Sequence, residues 1–288
     1  MRVGIVQNSA AGSGASDQLA PHLRALGIEV VMAGEDRSLS ERARDLIGTV
    51  DAIAACGGDG TVNAVAAVLV DTETPLAVVP QGTLNHFAKD LGIPEDLAEV
   101  AGVIAARVER RVDVGEVNGH VFVNNSSIGA YPRATRLRDE LNEGPVPLKW
   151  PAMAAAALHV FVRFPTLRVR IDGGPERETS FVFVGNNAYD LTSVPPGGRS
   201  SLTGGELMVA CARTSSRLAT IRAGLRGALG RLEEAPEVDV IRLAELEIDV
   251  RERSLDVSLD GEVVRMQAPL VYRVRPQSLR VLVPPDAA

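Results

Sequence analysis

A glycine-rich turn that contains one carboxylate lies between a short apolar segment, residues 51–55, and a helix-like pattern. Its sequence is Gly57-Gly58-Asp59-Gly60-Thr61-Val62-Asn63. Glycines let backbone N–H groups approach an anion closely, and the start of a helix adds partial positive charge. A carboxylate repels a phosphate unless a cation or a proton intervenes, so Asp59 indicates Mg²⁺ linkage or general-base work. The pattern predicts a phosphate-binding loop, and the alternative is a tight turn in which Asp59 caps the helix.

A second polar turn follows the strand-like segment 76–79 and precedes another helix-like pattern. Its sequence is Pro80-Gln81-Gly82-Thr83-Leu84-Asn85-His86-Phe87-Ala88. Ligands of open α/β sheets bind at the carboxyl ends of the strands, so Gly82 and Thr83 are expected on the same rim as residues 57–61. The polar turn 8–14 would be the third on this rim. Because three such turns converge, the sequence favours nucleotide binding, although it has neither a Walker A sequence nor a Gly-x-Gly-x-x-Gly fingerprint.

A third segment, Ser258-Leu259-Asp260-Gly261-Glu262, lies between two strand-like segments near the end of the chain. On pattern alone, Asp-Gly between strands predicts a hairpin turn and no chemistry. His86 and His120 carry no specific signal, and the sequence shows no Ser/His/Asp triad motif.

The first third of the chain alternates strand-like and helix-like segments, which predicts a parallel sheet covered by helices on both faces. The predicted strands are residues 2–7, 28–32, 51–55 and 76–79, and the predicted helices are residues 17–26, 40–47 and 61–70. A further helix is predicted to begin at Pro94, with Glu95 and Asp96 in its first turn, where the helix dipole favours acidic side chains.

From about Arg110 onward strand-like segments dominate, and they predict a mostly antiparallel second domain, built as a sandwich or an open barrel. These segments are residues 111–117, 120–124, 167–171, 180–184, 207–210, 247–250 and 255–259. Helix signals remain near residues 152–161 and 216–229. The last predicted strand, residues 279–283, could pair in either domain.

The overall composition limits the classes of function. The 288 residues are enough for two domains, and the net charge of -7 argues against general nucleic-acid binding. Cys56 and Cys211 lie far apart without a metal-type spacing, which favours a reducing cytosol and two small buried side chains. The longest apolar stretch, residues 152–164, contains His159 and Arg163 and is shorter than the roughly 20 residues of a membrane-spanning helix. We therefore expect a soluble or peripheral protein.

The chain resembles the diacylglycerol kinase catalytic-domain family, which includes bacterial lipid kinases and sphingosine kinases. The two glycine turns carry the resemblance, and it continues towards the end of the chain. Further matching segments are Leu91-Gly92-Ile93-Pro94, Val112-Asp113-Val114-Gly115, Phe122-Val123-Asn124-Asn125 with Ser127 and Gly129, Leu259-Asp260-Gly261-Glu262, Arg275-Pro276 and residues 279–284. The resemblance covers essentially the whole chain and is specific.

This resemblance implies a two-domain fold with ATP in the cleft. Residues 1–110, joined by the C-terminal strand 276–288, would form an α/β ATP-binding domain similar to those of phosphofructokinases and NAD kinases. Residues 111–275 would form a β-rich, sandwich-like domain for the lipid substrate. By resemblance, ATP would be contacted by Asn8, Ser9, Ala10, Ala11, Gly12, Gly57, Gly58, Asp59, Gly60, Thr61, Val62, Asn63, Gly82 and Thr83.

The resemblance leaves open which carboxylate is the catalytic base. Bacterial members place the base in the Asp-Gly-Glu segment, which here gives Asp260 or Glu262. Sphingosine and NAD kinases place it at the aspartate of the glycine turn, which here is Asp59. Asp59 is also the candidate ligand for the Mg²⁺ that accompanies ATP.

Three departures from the family pattern affect the first turn and the metal. The usual Asn-Pro is Asn8-Ser9 here, and His86 replaces an aspartate that belongs to a carboxylate–water–Mg²⁺ network in some members. Gly204 stands where bacterial members have an aspartate that helps to hold a structural Mg²⁺. Because divalent cations prefer anionic oxygen ligands, we expect this structural Mg²⁺ to be absent or weakly held. The loops expected to bind ATP are intact.

These residues predict an ATP-dependent kinase that phosphorylates a hydroxyl group of diacylglycerol or a related lipid. The alternatives are a kinase of a soluble acceptor such as NAD and a non-catalytic lipid- or nucleotide-binding protein. A lipid acceptor requires membrane contact, so we expect a cytoplasmic protein that docks peripherally at the inner membrane face, with a homodimer as a further option. The candidate docking side chains, which could also belong to an ordinary core helix and its solvated face, are Arg133, Arg136, Arg138, Trp150, Phe161 and Phe164.

Overall fold

Two β-sheets organise the part of the chain that the structure describes, a mixed sheet of ten strands and an antiparallel sheet of six. The structure is a computed structural model, and it describes residues 1–8, 14–34, 36–129, 166–190, 198–213 and 238–287. The helices predicted near residues 152–161 and 216–229 lie outside these ranges. None of the described helices is both long and apolar enough to cross a membrane.

The first sheet begins with a parallel α/β arrangement in the spatial order β2-β1-β3-β4. These strands are β1 (Arg2–Gln7), β2 (Glu29–Met32), β3 (Ala52–Gly57) and β4 (Leu76–Pro80). The helices are α1 (Ala15–Ala25), α2 (Leu39–Leu46), α3 (Asp59–Leu69), α4 (His86–Asp90) and α5 (Leu97–Ala106). Every residue of β3 and β4 is buried, as expected for parallel strands covered on both faces. The predicted α/β class is confirmed.

The start of α5 corrects one prediction. The helix begins at Leu97 and not at Pro94, because Asp96 is its N-cap. The Asp96 carboxylate accepts hydrogen bonds from the backbone N–H groups of Ala98 and Glu99 at 2.9 and 3.0 Å. These are N–H groups that the first helical turn leaves unpaired, so the aspartate fixes where the helix begins.

Two long strands, β5 (Glu109–Val117) and β16 (Leu270–Leu282), connect the α/β part to the β-rich part. β16 pairs in parallel with β4 near its end and antiparallel with β13 (Glu245–Val250) near its start. β5 lies antiparallel to β16 along both of these stretches. The last strand therefore pairs in both predicted domains. The boundaries at 110/111 and 275/276 stay predictions.

The β-rich part is a sandwich, as predicted. Its other strands are β6 (His120–Phe122), β7 (Asn125–Gly129), β8 (Leu167–Ile171), β9 (Arg177–Thr179), β10 (Phe181–Asn186), β11 (Leu207–Ala212), β12 (Val238–Leu243), β14 (Ser254–Leu259) and β15 (Glu262–Gln267). The six-stranded sheet has the order β12-β11-β10-β7-β14-β15, and it packs its apolar face on β8, β13 and β16 of the first sheet. In the shared core, Ile128 and Val257 from one sheet meet Ile248 and Tyr272 from the other.

Candidate functional site

The two glycine turns lie in direct contact. A β-carbon added to Gly82 would stand 2.7 Å from the Cα atom of Gly58, and one added to Gly58 would stand 3.3 Å from the Cα atom of Gly82. The N–H group of Gln81 also donates a hydrogen bond to the carbonyl oxygen of Gly57 at 3.0 Å. Backbones come this close only where side chains are missing, and the expectation that both turns share one rim is confirmed.

The rim exposes polar groups that suit phosphate oxygens. Helix α3 has no side-chain cap at Gly58, so its first N–H groups lack the acceptor that many helices place there. In the facing turn, the Asn85 side chain accepts from the N–H group of Gly82 at 2.8 Å and donates to the Gly82 carbonyl oxygen at 2.7 Å. This pair of bonds closes the turn, and Thr83 lies exposed within it. The N–H groups of a helix start without a side-chain cap, beside an exposed hydroxyl, form an arrangement that can bind an anion.

Three residues predicted to contact ATP use their side chains inside the protein. Thr61 is buried against Gly57, and Val62 belongs to the hydrophobic core of the α/β part. The Nδ2 atom of Asn63 donates to the carbonyl oxygen of Val121 at 3.3 Å, at the strand β6. These side chains support the turn, and they leave backbone atoms to face a ligand.

The third turn is described only at its two ends. The N–H group of Asn8 donates to the carbonyl oxygen of Cys56 at 3.3 Å, which places Asn8 beside the first glycine turn. The remaining residues predicted to contact ATP lie outside the described residues, namely Ser9, Ala10, Ala11 and Gly12.

Asp59 is half-buried and loosely held. Its carboxylate accepts long hydrogen bonds from the N–H groups of His86 and Phe87, both at 3.4 Å, and from the Nδ2 atom of Asn124 at 3.5 Å. Asp59 is the first residue of α3, and its bonds reach the neighbouring turn and β-rich part instead of capping that helix. Because bonds of this length are weak, the carboxylate keeps acceptor capacity for a cation or a proton.

Asp260 is buried in the hairpin between β14 and β15, and it binds the turn at residues 123–125. Its two carboxylate oxygens accept the N–H groups of Val123, Asn124 and Asn125 at 2.8, 2.8 and 2.9 Å. Burial raises the pKa of Asp260 to about 6, although the three N–H donors and the Arg199 guanidinium act in the opposite direction. Both oxygens are therefore committed to holding a turn.

Glu262 brings the Asp-Gly-Glu hairpin against the first glycine turn. A β-carbon added to Gly60 would stand 2.6 Å from the Oε1 atom of Glu262. Much of the Glu262 residue is exposed, but its carboxyl end is partly enclosed at this contact, and burial raises its pKa. Among the described residues, no hydrogen bond or ion pair to the Glu262 carboxylate is found. The carboxylate thus lies beside the predicted phosphate loop and has no other partner within these ranges.

Arg199 and Asp90 join the two sides of the site, and the sequence analysis missed both. The Nε atom of Arg199 donates to the Oδ2 atom of Asp90 at 2.7 Å, and the Arg199 side chain has 0% exposure. Its Nη2 atom donates to the Oδ1 atom of Asn124 at 2.9 Å. Neither residue stands in a local motif, so only the three-dimensional fold reveals the pair.

Hydrogen bonds hold the segment around Gly204, the position at which the family pattern has an aspartate. The N–H group of Gly204 donates to the Oδ1 atom of Asn187, and that of Gly205 donates to the Oδ2 atom of Asp113, both at 2.8 Å. Within the described ranges, no group of three or more His, Cys, Asp or Glu side chains is arranged to hold a metal ion. The weak or absent structural Mg²⁺ stays a prediction.

Two family models match the chain. Residues 2–117 match the diacylglycerol kinase catalytic domain, and residues 124–283 match the YegS C-terminal NAD kinase beta sandwich-like domain. A protein of Pseudomonas aeruginosa named as a YegS-like lipid kinase is 30% identical over 263 residues, which cover 87% of this chain and 82% of that protein. The diacylglycerol kinase of Bacillus subtilis is 43% identical over 88 residues, 30% of this chain and 29% of that protein.

For four relatives named diacylglycerol kinase or YegS-like lipid kinase, the matched stretch covers only 29–39% of their length. Solved structures are similar over the whole fold. A diacylglycerol kinase from Bacillus anthracis aligns with a TM-score of 0.71 at 20% identity, covering 100% of this chain and 98% of that one. A second structure from the same organism has a TM-score of 0.74 at 24% identity.

Proposed function

Because the chain belongs to the diacylglycerol kinase and YegS-like lipid kinase family, we propose that it transfers a phosphoryl group from ATP to a hydroxyl group of diacylglycerol or a related lipid. The observation that carries this proposal is the contact between Gly60 and Glu262. It brings a turn suited to phosphate against a carboxylate from the β-rich part. Phosphoryl transfer to an alcohol uses both groups, one to hold the phosphates and one to accept the hydroxyl proton.

The two glycine turns would hold the phosphate chain. A side chain at Gly58 or Gly82 would fill the space between them, and the first N–H groups of α3 have no side-chain cap. ATP supplies the phosphoryl group, and the Mg²⁺ that accompanies it would neutralise charge on the phosphate oxygens. Asp59 has the acceptor capacity to ligate that ion, and a carboxylate oxygen is a ligand type that Mg²⁺ prefers. The donor groups present therefore fit ATP and Mg²⁺.

Glu262 is the carboxylate best suited to act as the base. Both oxygens of Asp260 already accept backbone N–H groups, whereas Glu262 is uncommitted among the described residues. The pKa of Glu262 is raised by burial, which makes its carboxylate a stronger proton acceptor. As the lipid hydroxyl oxygen bonds to the γ-phosphorus, its proton passes to Glu262. The bond from the γ-phosphorus to the bridging oxygen breaks, and ADP leaves.

A radiolabelled transfer assay tests the proposal. The protein is incubated with labelled Mg-ATP and, in separate reactions, with diacylglycerol, phosphatidylglycerol, sphingosine, ceramide and NAD. Label in a lipid product, lost in the Glu262→Gln variant, supports the proposal. Label only in the NAD product would favour the soluble-acceptor alternative, and no transfer to any acceptor would favour a binding protein.

Contact with a membrane is the part of the proposal that rests on sequence alone. The candidate docking side chains between Arg133 and Phe164 lie outside the described residues. Cationic side chains beside an apolar segment bind anionic bilayers, so association with liposomes should rise with anionic lipid and fall with salt. The Arg133→Glu/Arg136→Glu variant should bind more weakly. Absence of liposome association under every condition would contradict this part.

A further inference from the structure

A buried arginine, Arg199, ties the β-rich part to helix α4. Its side chain is fully buried, and its Nε atom donates to the Oδ2 atom of Asp90 at 2.7 Å. The backbone N–H group of Arg199 donates to the other Asp90 oxygen at 3.2 Å. The ring centres of Phe87 and Tyr189 lie 5.8 and 5.6 Å from the guanidinium carbon. A buried charge is costly unless it is paired and hydrogen-bonded, so moving the guanidinium away from Asp90 would leave it uncompensated. These contacts therefore fix its position.

The guanidinium in turn holds the turn at residues 123–125. Its Nη1 atom donates to the carbonyl oxygen of Val123 at 2.7 Å, and its Nη2 atom donates to the Oδ1 atom of Asn124 at 2.9 Å. Tyr189 donates to the Asn124 carbonyl oxygen at 2.9 Å, and Asp260 accepts the N–H groups of the turn. The backbone of the turn is thus satisfied within the β-rich part, and the Nδ2 atom of Asn124 is left to reach across the interface.

The chemistry of the guanidinium decides which end of the Asn124 amide faces Asp59. A guanidinium has donors and no acceptor, so only the amide oxygen of Asn124 can lie against Arg199. The amide nitrogen therefore faces the Oδ1 atom of Asp59, at 3.5 Å. An ionised carboxylate can only accept, so the two groups are matched.

We propose that Arg199 is a positioning residue for phosphoryl transfer: it orients the Asn124 amide towards Asp59, and Asp90 fixes Arg199. This inference rests on the proposed function for its catalytic consequence. Arg199 acts on the glycine turn through Asn124, so its loss should lower kcat more than it raises the KM for ATP.

Arg199→Lys tests this with the charge retained. One ammonium group replaces the planar fork that reaches Asp90 and Asn124 together. We expect kcat to fall about 10- to 100-fold, with the KM for ATP changed less than about twofold. Asp90→Glu keeps both charges but displaces the guanidinium, so it should likewise lower kcat with little change in the KM for ATP. The matched control is Arg265→Lys: Arg265 is exposed and pairs with Asp256 in the β14–β15 hairpin, so this change should leave both constants unchanged.

A double-mutant cycle separates positioning from a general structural role. Asn124→Ala should lower kcat, and Arg199→Lys should lower it no further in that background, because both changes break the same link. Equal, additive losses of kcat would mean that Arg199 acts by another route and would overturn the proposal.

A measurement without substrates makes the inference independent of the proposed function. The side-chain NH₂ group of Asn124 can be followed by ¹⁵N NMR and identified by its disappearance in Asn124→Ala. Its hydrogen exchange should be slower in the wild-type protein than in folded Arg199→Lys. Unchanged exchange would overturn the proposal. If the wild-type protein phosphorylated no acceptor, the proposed function would fail, while the exchange rate would still decide whether Arg199 orients Asn124.

Discussion

Asp59 and Asp260 lie on opposite sides of the contact between the α/β part and the β-rich part, and they are held in opposite ways. Asp59 is half-buried, and its three hydrogen bonds measure 3.4 to 3.5 Å. Asp260 is 9% exposed, and its three hydrogen bonds measure 2.8 to 2.9 Å. Hydrogen bonds to a carboxylate are strong at the shorter lengths and weak at the longer ones.

The difference teaches that the turn at residues 123–125 is satisfied without a ligand, whereas the α/β side of the site is not. On the β-rich side, Asp260 and Arg199 satisfy the turn at residues 123–125 with short bonds. On the α/β side, the uncapped start of α3, the exposed Thr83 and the loosely held Asp59 retain capacity for further bonds. A preorganised surface facing an unsatisfied one suits a site that binds a charged substrate and then stabilises its transition state.

The largest expected effect belongs to Glu262, the carboxylate that bridges the two sides. Glu262→Gln keeps the size of the side chain and removes the proton acceptor, so kcat should fall about 10²- to 10⁴-fold. ATP affinity measured by calorimetry should stay nearly unchanged. Because Glu262 acts in its ionised form and burial raises its pKa, the wild-type rate should increase with pH through a pKa above 4.5.

Asp260→Asn is the matched test of the comparison, since it changes the committed carboxylate of the same hairpin. Asparagine tolerates the left-handed conformation that Asp260 adopts, with φ 47°. This variant should lose less kcat than Glu262→Gln. An equal or greater loss of kcat in a folded Asp260→Asn protein would show that Asp260 takes part in the reaction.

The difference in stability between the wild-type protein and Asp260→Asn should also depend on pH, in a direction that the burial of Asp260 determines. Burial raises the folded-state pKa of Asp260 from 3.8 to about 6, so the folded chain binds this proton more tightly than the unfolded chain. The stabilisation from Asp260 is complete below about pH 4 and is lost as the pH rises through about 6. The difference in the free energy of unfolding between the two proteins, measured by denaturation at a series of pH values, should therefore shift in favour of Asp260→Asn by on the order of 3 kcal/mol over this range. A shift in the opposite direction would mean that the three N–H donors outweigh burial.

The sequence predicted those parts of the fold and site that depend on local patterns. The parallel α/β part follows from apolar strands that alternate with helices, and the shared rim of residues 57–61 and Gly82 follows from two glycine turns at the carboxyl ends of neighbouring strands. The mostly antiparallel β-rich part follows from the run of strand-like segments after Arg110, which left a sandwich and an open barrel as alternatives. In each case the short-range pattern and the long-range fold agree, so pattern alone was sufficient.

The remaining features depend on distant contacts or on competition between nearby residues. Pro94 was predicted to start a helix, but the side chain of Asp96 captures the N–H groups that define the start. On pattern alone Asp260 is an ordinary hairpin residue, and only the family resemblance makes it a candidate base. Its bonds to the 123–125 turn exist only once the sheets are assembled. Arg199 and Asp90 are far apart in the sequence and stand in no motif, so nothing local indicated that they would form a buried pair.

Gly82→Ala tests the α/β side where its two glycine turns meet. An added β-carbon would stand 2.7 Å from the Gly58 Cα atom, so one of the two turns must move. A displacement of about 1 Å in a positioning element costs on the order of 10²-fold in rate, and we expect a loss of that size in kcat/KM for ATP. Gly102→Ala in α5 is the matched control, because nothing lies within 4 Å of its added β-carbon. The comparison would fail if both variants were equally active.

Thr83→Val should have the smallest effect, because it removes one hydroxyl from the α/β side of the site and alters nothing on the β-rich side. Thr83 is exposed, so the substitution should leave the stability of the fold nearly unchanged. A neutral hydrogen bond contributes about 0.5–1.5 kcal/mol, which corresponds to a rise of about 2- to 12-fold in the KM for ATP with little change in kcat. Thr83→Ser keeps the hydroxyl and should retain the wild-type KM, whereas a raised KM in Thr83→Ser together with a wild-type KM in Thr83→Val would show that the methyl group, and not the hydroxyl, is what the turn needs. Steady-state kinetics at saturating acceptor distinguish these outcomes. A rise in the KM for ATP far beyond 12-fold would mean that Thr83 shapes the turn instead of contacting the nucleotide.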